Sequence, residues 1–407
     1  MGWLGLDDTD SLSGGCTTAV MDDLLANLPS GVIQGTPCLV RLWPMAQQRT
    51  RGNAALAVEL TTDDEPSLLS HLDHWWNDHL EPLAGHVSPS QHSARIQVAS
   101  SPGMVWFSTK PDPEFYWRAV QGEVVLDDAP SATRRWGGMG VIGATAAVAW
   151  DGPATTWEAI AWRMGRETGS KRHLDEDALH EIDAWPEVVL SRDPRQGKQL
   201  IAPRGNSPVL FGVRSLSQTR AEEACLHLAE SKNTEPVRRW RVFQTNQASG
   251  DHLATTHTFV VESVDVHPAR KHATVSTDSL VVRCFAEGGP VNALARWLKP
   301  GDRFEVRGLV ASDGSLHAEQ MRVVAPMSRR RERPLCSDCL VRLKSMGTGQ
   351  GLRCPQCKQR SEDEWKDLPP VPPFDGWVEP PMDGRRHLAR PLGWSEPFSS
   401  RGKGGNP

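Results

Sequence analysis

The chain has 407 residues, 38% hydrophobic and 23% charged, with a formal net charge of −5. These values describe a globular protein of about two to four domains and exclude a disordered chain. No apolar stretch reaches the length of a membrane span, and the overall charge is not that of a wholesale polyanion binder.

Residues 2–6 form a short apolar run with glycine, which predicts a buried strand ending where Asp7, Asp8 and Asp10 begin. A Ser-Leu-Ser-Gly-Gly turn follows, closing on Gly14 and Gly15. Val20, Leu24 and Leu28 then recur at four-residue spacing, so a helix should start near Thr17. Three aspartates so close together would repel a polyphosphate unless they held Mg²⁺, which prefers carboxylate oxygens and bridges phosphates. Glycine amides and the helix N-terminus would then donate to the anion, with the hydroxyls of Thr17 and Thr18 beside it. This is not a P-loop, because no Gly-Lys-Ser/Thr follows the glycines. The plainer alternative is an acidic strand-end turn with a Ser/Thr helix cap. The motif begins almost at Met1, with no signal peptide ahead of it. Cys16, Cys38, Cys225 and Cys284 are scattered as reduced thiols would be, so the expected compartment is the cytoplasm.

Residues 131–230 alternate apolar runs (141–150, 188–190, 200–202, 209–213) with stretches that read as helical, 156–166 and 221–231; this pattern suits an α+β sandwich. Residues 235–326 read as five short strands, near 239–243, 258–261, 279–285, 303–308 and 319–324, with a short helix at 290–298 before the fourth. That order is OB-like, and such barrels commonly bind oligonucleotides.

Cys336 and Cys339, then Cys354 and Cys357, form two CxxC knuckles around a fourteen-residue loop. This is zinc-ribbon spacing, and four thiolates with no open position make a structural Zn²⁺ site. From Arg322 to Arg360 there are ten Arg and Lys against two acids, a local balance of +8. Arg329, Arg330, Arg331, Arg333 and Lys344 are therefore candidates for RNA phosphates, against the alternative of a solvated basic linker. Beyond Cys357, the acidic residues 362–364 and the proline-rich stretch 368–381 should lack a core of their own, leaving residues 363–407 as a mostly extended tail.

Several blocks occur in one order along the chain: residues 1–18; Arg41-Leu42-Trp43-Pro44 with Arg49-Thr50-Arg51-Gly52-Asn53; Gly140-Val141-Ile142-Gly143-Ala144 with Trp157-Glu158; Pro208 to Arg214; Phe243-Gln244-Thr245-Asn246-Gln247; the four cysteines; and residues 385–392. This ordered set resembles the archaeal tRNA(Ile) 2-agmatinylcytidine synthetase family. The resemblance implies a multidomain α+β enzyme: a kinase-like α/β domain (1–130), a ferredoxin-like domain (131–233), an OB-fold barrel (234–327) and a zinc ribbon (328–362). It further implies a ligase-type, ATP-dependent reaction that replaces the C2 oxygen of the wobble cytidine of an isoleucine tRNA with agmatine, so that the tRNA reads AUA. ATP, Mg²⁺ and Zn²⁺ would be its cofactors.

Oxide is a very poor leaving group, so the C2 oxygen must first be phosphorylated before agmatine's amine displaces phosphate. The family resemblance implies a threonine that carries phosphate during turnover, and Thr17 is the better candidate, with Thr18 in reserve. On physical grounds Asp7, Asp8 and Asp10 would hold Mg²⁺, Arg49 and Arg51 would neutralise charge on the transferred phosphoryl group, and Gly14, Gly15 and Gly52 would permit close backbone approach to phosphates. Asn53 could donate to a base or a phosphate. Two positions depart from the family pattern: Met139, where an arginine is expected, and Ser207, where an aspartate is expected. The acid nearest the latter that could bind a guanidinium is Asp193. Two rival readings are a non-catalytic nucleic-acid binder and an ATP-dependent phosphotransferase acting on a small molecule.

Overall fold

The computed structural model describes residues 1–10, 15–46, 53–85, 98–165, 170–203, 205–253, 255–362 and 365–394. The chain divides into two units. One comprises Met1–Ala254 with Arg385–Pro407, the other Thr255–Gly384.

In the first unit the apolar run becomes β1 (Gly2–Asp7). Side chains alternate across a strand, so Leu4 and Leu6 share one face, where they join Met21, Leu24 and Leu25 of α1 (Thr17–Ala26) and Leu68 and Leu72 of α2 (Glu65–Trp75). Gly5 faces the other side, where a Cβ would lie 2.4 Å from the Ala144 carbonyl oxygen. β1 pairs antiparallel with β4 (Ala54–Thr61) and β5 (Gly103–Phe107). β4 also receives β2 (Ile33–Gln34) and β3 (Cys38–Arg41), and β6 (Arg134–Gly137) continues from β5. At the other end β11 (Val237–Thr245) runs parallel to β3 and antiparallel to β7 (Thr156–Arg163), which pairs with β10 (Val209–Ser215). The nine strands form a single sheet, so the two domains expected on either side of residue 130 share one set of ladders.

The apolar run near 141–150 is helix α4 (Gly140–Ala149), and all but one of its residues are buried. A helix apolar on all sides needs cover on all sides, and α4 packs between β1, β4 and β5 on one side and α3 (Glu114–Gln121) on another. Ala178, Leu179 and Ile182 of α5 (Glu176–Asp183) and Ala221, Ala224, Cys225 and Leu228 of α6 (Gln218–Ala229) cover the β7 and β10 end. A two-residue-per-strand hairpin, β8 (Arg192–Asp193) with β9 (Lys198–Gln199), lies between α5 and β10.

Residues 156–163 are a strand where the sequence suggests helix. β7 is central, flanked by β10 and β11, and seven of its eight residues are buried. Burial on both faces erases the alternation by which a strand is recognised. Residues 385–392 dock as a family block should: the carbonyls of His387 and Leu388 accept the Ala248 and Gly250 amides, each at 2.8 Å, and Leu388 is buried among the α3 and α4 side chains.

The second unit contains a closed barrel of β12 (His257–Val266), β13 (Ala273–Thr277), β14 (Val281–Cys284), β15 (Arg303–Val310) and β16 (Leu316–Ala325), with α7 (Pro290–Trp297) before β15. Spatial order is β12-β13-β14-β16-β15, and β14 meets β16 in parallel. Residues 239–243, expected as the first barrel strand, belong instead to β11 in the large sheet, and the barrel begins at His257. The second barrel strand, β13, has no counterpart among the expected strands.

β17 (Arg330–Glu332) pairs with β21 (Lys366–Leu368), and β18 (Lys344–Ser345), β19 (Leu352–Arg353) and β20 (Arg360–Ser361) make a small sheet around the cysteines. The proline-rich stretch, expected to lack a core, is anchored on the barrel: Val378 is buried in the barrel core and exchanges both backbone hydrogen bonds with Met321, at 3.1 and 2.8 Å, Phe374 packs against the same core, and the Trp377 ring lies under Arg307 and Arg322 at 4.5 and 5.0 Å. Among the described residues no helix is long and apolar enough to cross a membrane.

Candidate active site and zinc ribbon

Where β1 ends, Asp7, Asp8 and Asp10 reach a cavity of ≈ 310 Å³ that is also lined by Thr17, Thr18, Arg41, Asn53, Glu158, Arg214 and His387. β1 supplies Asp7, and Asp8 turns the chain with a positive φ of 56°. The Asp7 carboxylate accepts the Asp8 amide at 2.7 Å, and Asp8 Oδ2 accepts the Ser101 amide at 2.8 Å. Burial, then the neighbouring charges of Asp8 and Asp10, raise the Asp7 pKa well above the usual carboxylate range. A second contact explains the glycine at 143: a Cβ there would lie 1.8 Å from Asp7 Oδ2. Gly143 is therefore the space in which the carboxylate sits.

Helix α1 starts at Thr17, as the spacing predicts. The Thr18 hydroxyl is engaged, lying 2.9 Å from the Cys16 thiol and accepting Trp162 Nε1–H at 3.3 Å. The Thr17 hydroxyl has no such bond to a described residue, although both threonines line the cavity. Gly15 holds a positive φ of 80°, which glycine adopts without strain. Gly14, Arg49, Arg51 and Gly52 lie outside the described residues. Asn53 lines the cavity, but its Nδ2 donates to the Trp43 carbonyl at 2.5 Å, so the amide closes its own loop.

Arg41, Glu158, Arg214 and His387 carry no role assigned from the sequence. Arg41 is held through its backbone: Asn246 Oδ1 accepts the Arg41 amide at 2.7 Å, and Asn246 Nδ2 donates to the Arg41 carbonyl at 2.9 Å. The same Nδ2 donates to the Tyr116 hydroxyl at 2.8 Å, which itself donates to Asp251 at 2.6 Å. This chain of bonds ties the fifth sequence block to the second. Glu158 is buried on β7, accepts Gln247 Nε2, and lies 3.8 Å from Arg214 Nε. Gly212 makes room for it, since a Cβ there would stand 2.5 Å from Glu158 Oε1. Burial lowers the Arg41 pKa against the support of Glu158, while Arg41, then burial and Arg214, push His387 well below its ordinary value. One cavity thus carries an acidic group, two hydroxyls and a guanidinium pair. Strand alternation aims Glu158 and Arg214 there, but only the β7–β10 pairing, absent from any local pattern, shows it.

The departures from the family pattern resolve differently. Met139 precedes α4 and its amide donates to the Ser101 hydroxyl at 2.9 Å. Arg134, close to it in sequence, is bound to Asp73 at 2.9 Å instead of lining the cavity. Ser207 lines the cavity, whereas Asp193 does not: it is fully buried and pairs with Arg195 at 2.9 Å. Asp193 is therefore already committed, and the guanidinium role considered for it falls away.

The Sγ atoms of Cys336, Cys339, Cys354 and Cys357 all lie within 4.8 Å of one another, the one such cluster of potential metal ligands among the described residues. Cys336 and Cys357 stand 3.5 Å apart, far beyond a disulfide bond, and Cys354 Sγ accepts the Gln356 and Cys357 amides at 3.3 and 3.4 Å. Amide donors directed at sulfur suit thiolates, and four thiolates in this spacing fit tetrahedral Zn²⁺. Of the basic candidates, Arg329 is bound to buried Asp302 at 2.6 Å and stacks over Trp297 at 4.0 Å. Exposed Arg330 pairs with half-buried Glu332 and exposed Arg331 with Asp367, Arg333 lies 5.7 Å over Trp365, and Lys344 is exposed on β18.

An acid-and-hydroxyl cavity on a chain that also carries a five-stranded barrel and a four-cysteine ribbon defines a nucleotide-dependent, nucleic-acid-modifying class of enzyme. Family profiles narrow the class: the TiaS TCKD domain matches residues 3–141, the TiaS FLD domain residues 138–252, and the TiaS C-terminal zinc ribbon domain residues 333–367. The chain belongs to the TiaS family, the isoleucine-tRNA 2-agmatinylcytidine synthetases. The TiaS synthetase from Methanosarcina mazei is 32% identical over 439 residues, covering 96% of each chain. The crystal structure of a TiaS complex with its isoleucine tRNA and ATP is similar with a TM-score of 0.73 at 26% identity, covering 96% of each chain. A TiaS complex with the same tRNA, AMPCPP and agmatine gives 0.67 at 25% identity, again covering 96% of each chain.

Proposed function

We propose that this chain uses ATP to join agmatine to C2 of the wobble cytidine of the AUA-reading isoleucine tRNA. The observation that carries this is the meeting of Asp7, Asp8, Asp10 and Thr17 with Arg41 and Arg214 in one cavity, in a chain aligned end to end with this family. The C2 oxygen attacks a phosphoryl group derived from ATP, forming a C–O–P link as the old P–O bond breaks. Agmatine's amine then bonds to C2, the C2–O bond breaks, phosphate departs with the oxygen, and the amine gives up a proton.

Asp7, Asp8 and Asp10 are the residues that would hold Mg²⁺, whose charge would offset the burial and then the neighbouring carboxylates that raise the Asp7 pKa. Bound there, Mg²⁺ supplies charge neutralisation for the triphosphate. Arg41 and Arg214 stabilise negative charge developing on the phosphoryl oxygens, with Arg49 and Arg51 as further candidates from the sequence. Thr17, at a helix start, is the better phosphate carrier, and Thr18, whose hydroxyl is already engaged, the reserve. Gly15, with Gly14 and Gly52 as further candidates from the sequence, would let phosphates approach the backbone, and Asn53 lines the cavity.

The two halves of the large sheet serve as the kinase-like and ferredoxin-like domains, and the barrel serves as the OB module, a reading supported by its strand order and parallel closing pair. Arg330, Arg331, Arg333 and Lys344 are proposed phosphate contacts on RNA, with Arg329 fixing the linker beside them. The work belongs in the cytoplasm with its tRNA substrate. A non-catalytic binder leaves the acid wall and threonines without a purpose, and a small-molecule phosphotransferase leaves the barrel and ribbon so. Asp7→Asn tests the assignment: tRNA-dependent ATP breakdown should fall at least about a hundredfold, the scale of losing a transition-state electrostatic contact, with tRNA affinity nearly unchanged. Parallel loss of tRNA binding and turnover would show Asp7 to act on RNA instead.

A further inference from the structure

One end of the barrel carries an aromatic group that the cavity chemistry does not use. Phe285, just past β14, is 39% exposed although it is a large apolar ring. Two imidazoles stand nearly perpendicular to it: His272 with centroids 5.4 Å apart at 77°, and His317 at 4.8 Å and 80°. His267 lies 6.5 Å beyond His272. These residues come from the β12–β13 loop, the end of β14 and the start of β16, segments that only barrel closure brings together.

The hydrogen bonds fix which nitrogens carry protons. His272 Nδ1 accepts the Ala286 amide at 3.0 Å, and His267 Nδ1 accepts the Arg270 amide at 3.0 Å. With Nδ1 used as acceptor, each neutral ring carries its proton on Nε2 and remains a donor. Arg270 and Lys271 are exposed in the same loop, and Arg283 is exposed on β14. The acids in the neighbourhood already face cations or imidazole, Asp313 with Arg283 at 3.0 Å and Glu287 at 3.9 Å from His272.

A partly exposed aromatic ring beside imidazole N–H donors and the exposed cations Arg270 and Lys271 suits an unstacked nucleobase with its phosphates. We infer that Phe285 is a stacking platform for an unpaired nucleotide of the tRNA, with His267, His272, Arg270 and Lys271 placed to donate to its backbone. The inference rests on the reading that the chain binds tRNA, and adds the place on the barrel where one nucleotide is held. An aliphatic protein partner would use the ring's apolar area equally well but would have no need of the surrounding donors and cations.

The test is Phe285→Leu, which keeps apolar volume and removes the π face. Its dissociation constant for tRNA should rise about fivefold or more, the scale of one lost base stack. Turnover at saturating tRNA, the ATP KM and the melting temperature should stay at wild-type values, and Phe285→Trp should restore affinity. Ultraviolet crosslinking of the wild-type chain to tRNA, mapped by mass spectrometry, should label Phe285 or a histidine beside it, which keeps the test independent of any variant. Unchanged affinity in folded Phe285→Leu, or crosslinks confined to other segments, would overturn the platform while leaving the tRNA reaction intact. Loss of affinity that Phe285→Trp does not restore would mark an apolar contact instead. A wild-type chain that does not bind tRNA would remove both this inference and the function on which it rests.

Discussion

Asp7 and Gly143 belong to segments far apart in sequence, and their closeness makes the acid wall possible. Nothing larger than hydrogen fits at 143 without moving the carboxylate, because a Cβ there would stand 1.8 Å from Asp7 Oδ2. Gly143→Ala should therefore act mainly on catalysis. Overpacking of this kind costs about 1–3 kcal/mol, so the melting temperature should fall by several degrees, while turnover should fall at least about tenfold as Asp7 leaves its position. A variant with a lowered melting temperature and normal turnover would show that the contact is only packing. Thr17 is tested separately by mass spectrometry after incubation with ATP and Mg²⁺. Phosphate should appear on Thr17; Thr17→Ala should lose most turnover, and Thr17→Ser should keep part of it through its hydroxyl. Label on Thr18 would shift the carrier by one residue. No label on either, with normal turnover of both alanine variants, would favour direct transfer from ATP to cytidine.

At the scale of elements, legibility follows the range of the interactions. The strand, acidic turn and helix of residues 2–26 can be read because each signal is local: an apolar run, three carboxylates and a four-residue spacing. The zinc knuckles are legible for the same reason. Residues 156–163 are not, since a strand buried on both faces loses its period, and residues 239–243 look like any half-buried strand until β7 claims them. Val378 is hidden in a proline-rich stretch, because a single bridge to Met321 leaves no pattern. The ribbon's few apolar residues, Leu343 and Leu352 with the cysteines, cannot hold it without metal. Cys336→Ser should thus lower zinc from one per chain to a weakly held fraction by elemental analysis and expose residues 334–359 to proteolysis. The dissociation constant for tRNA should rise, with agmatine-independent ATP hydrolysis retained. Full tRNA affinity in a zinc-free chain would separate the ribbon from RNA binding.

Across the whole molecule, the candidate site draws on segments that only the long-range ladders unite: the end of β1, the start of α1, β3, β7, β10 and the docked stretch around His387. Glu158, Arg214 and His387 stand in recognisable blocks, yet their convergence is a property of the sheet and not of any window of sequence. The most direct measurement is mass spectrometry of nucleosides from the AUA-reading isoleucine tRNA incubated with the purified chain, ATP, Mg²⁺ and isotopically labelled agmatine. The wobble cytidine should gain the mass of agmatine less one water, carry the label, and depend on ATP and on Asp7. An unmodified wobble cytidine despite ATP breakdown, or label at another nucleotide, would contradict the assignment.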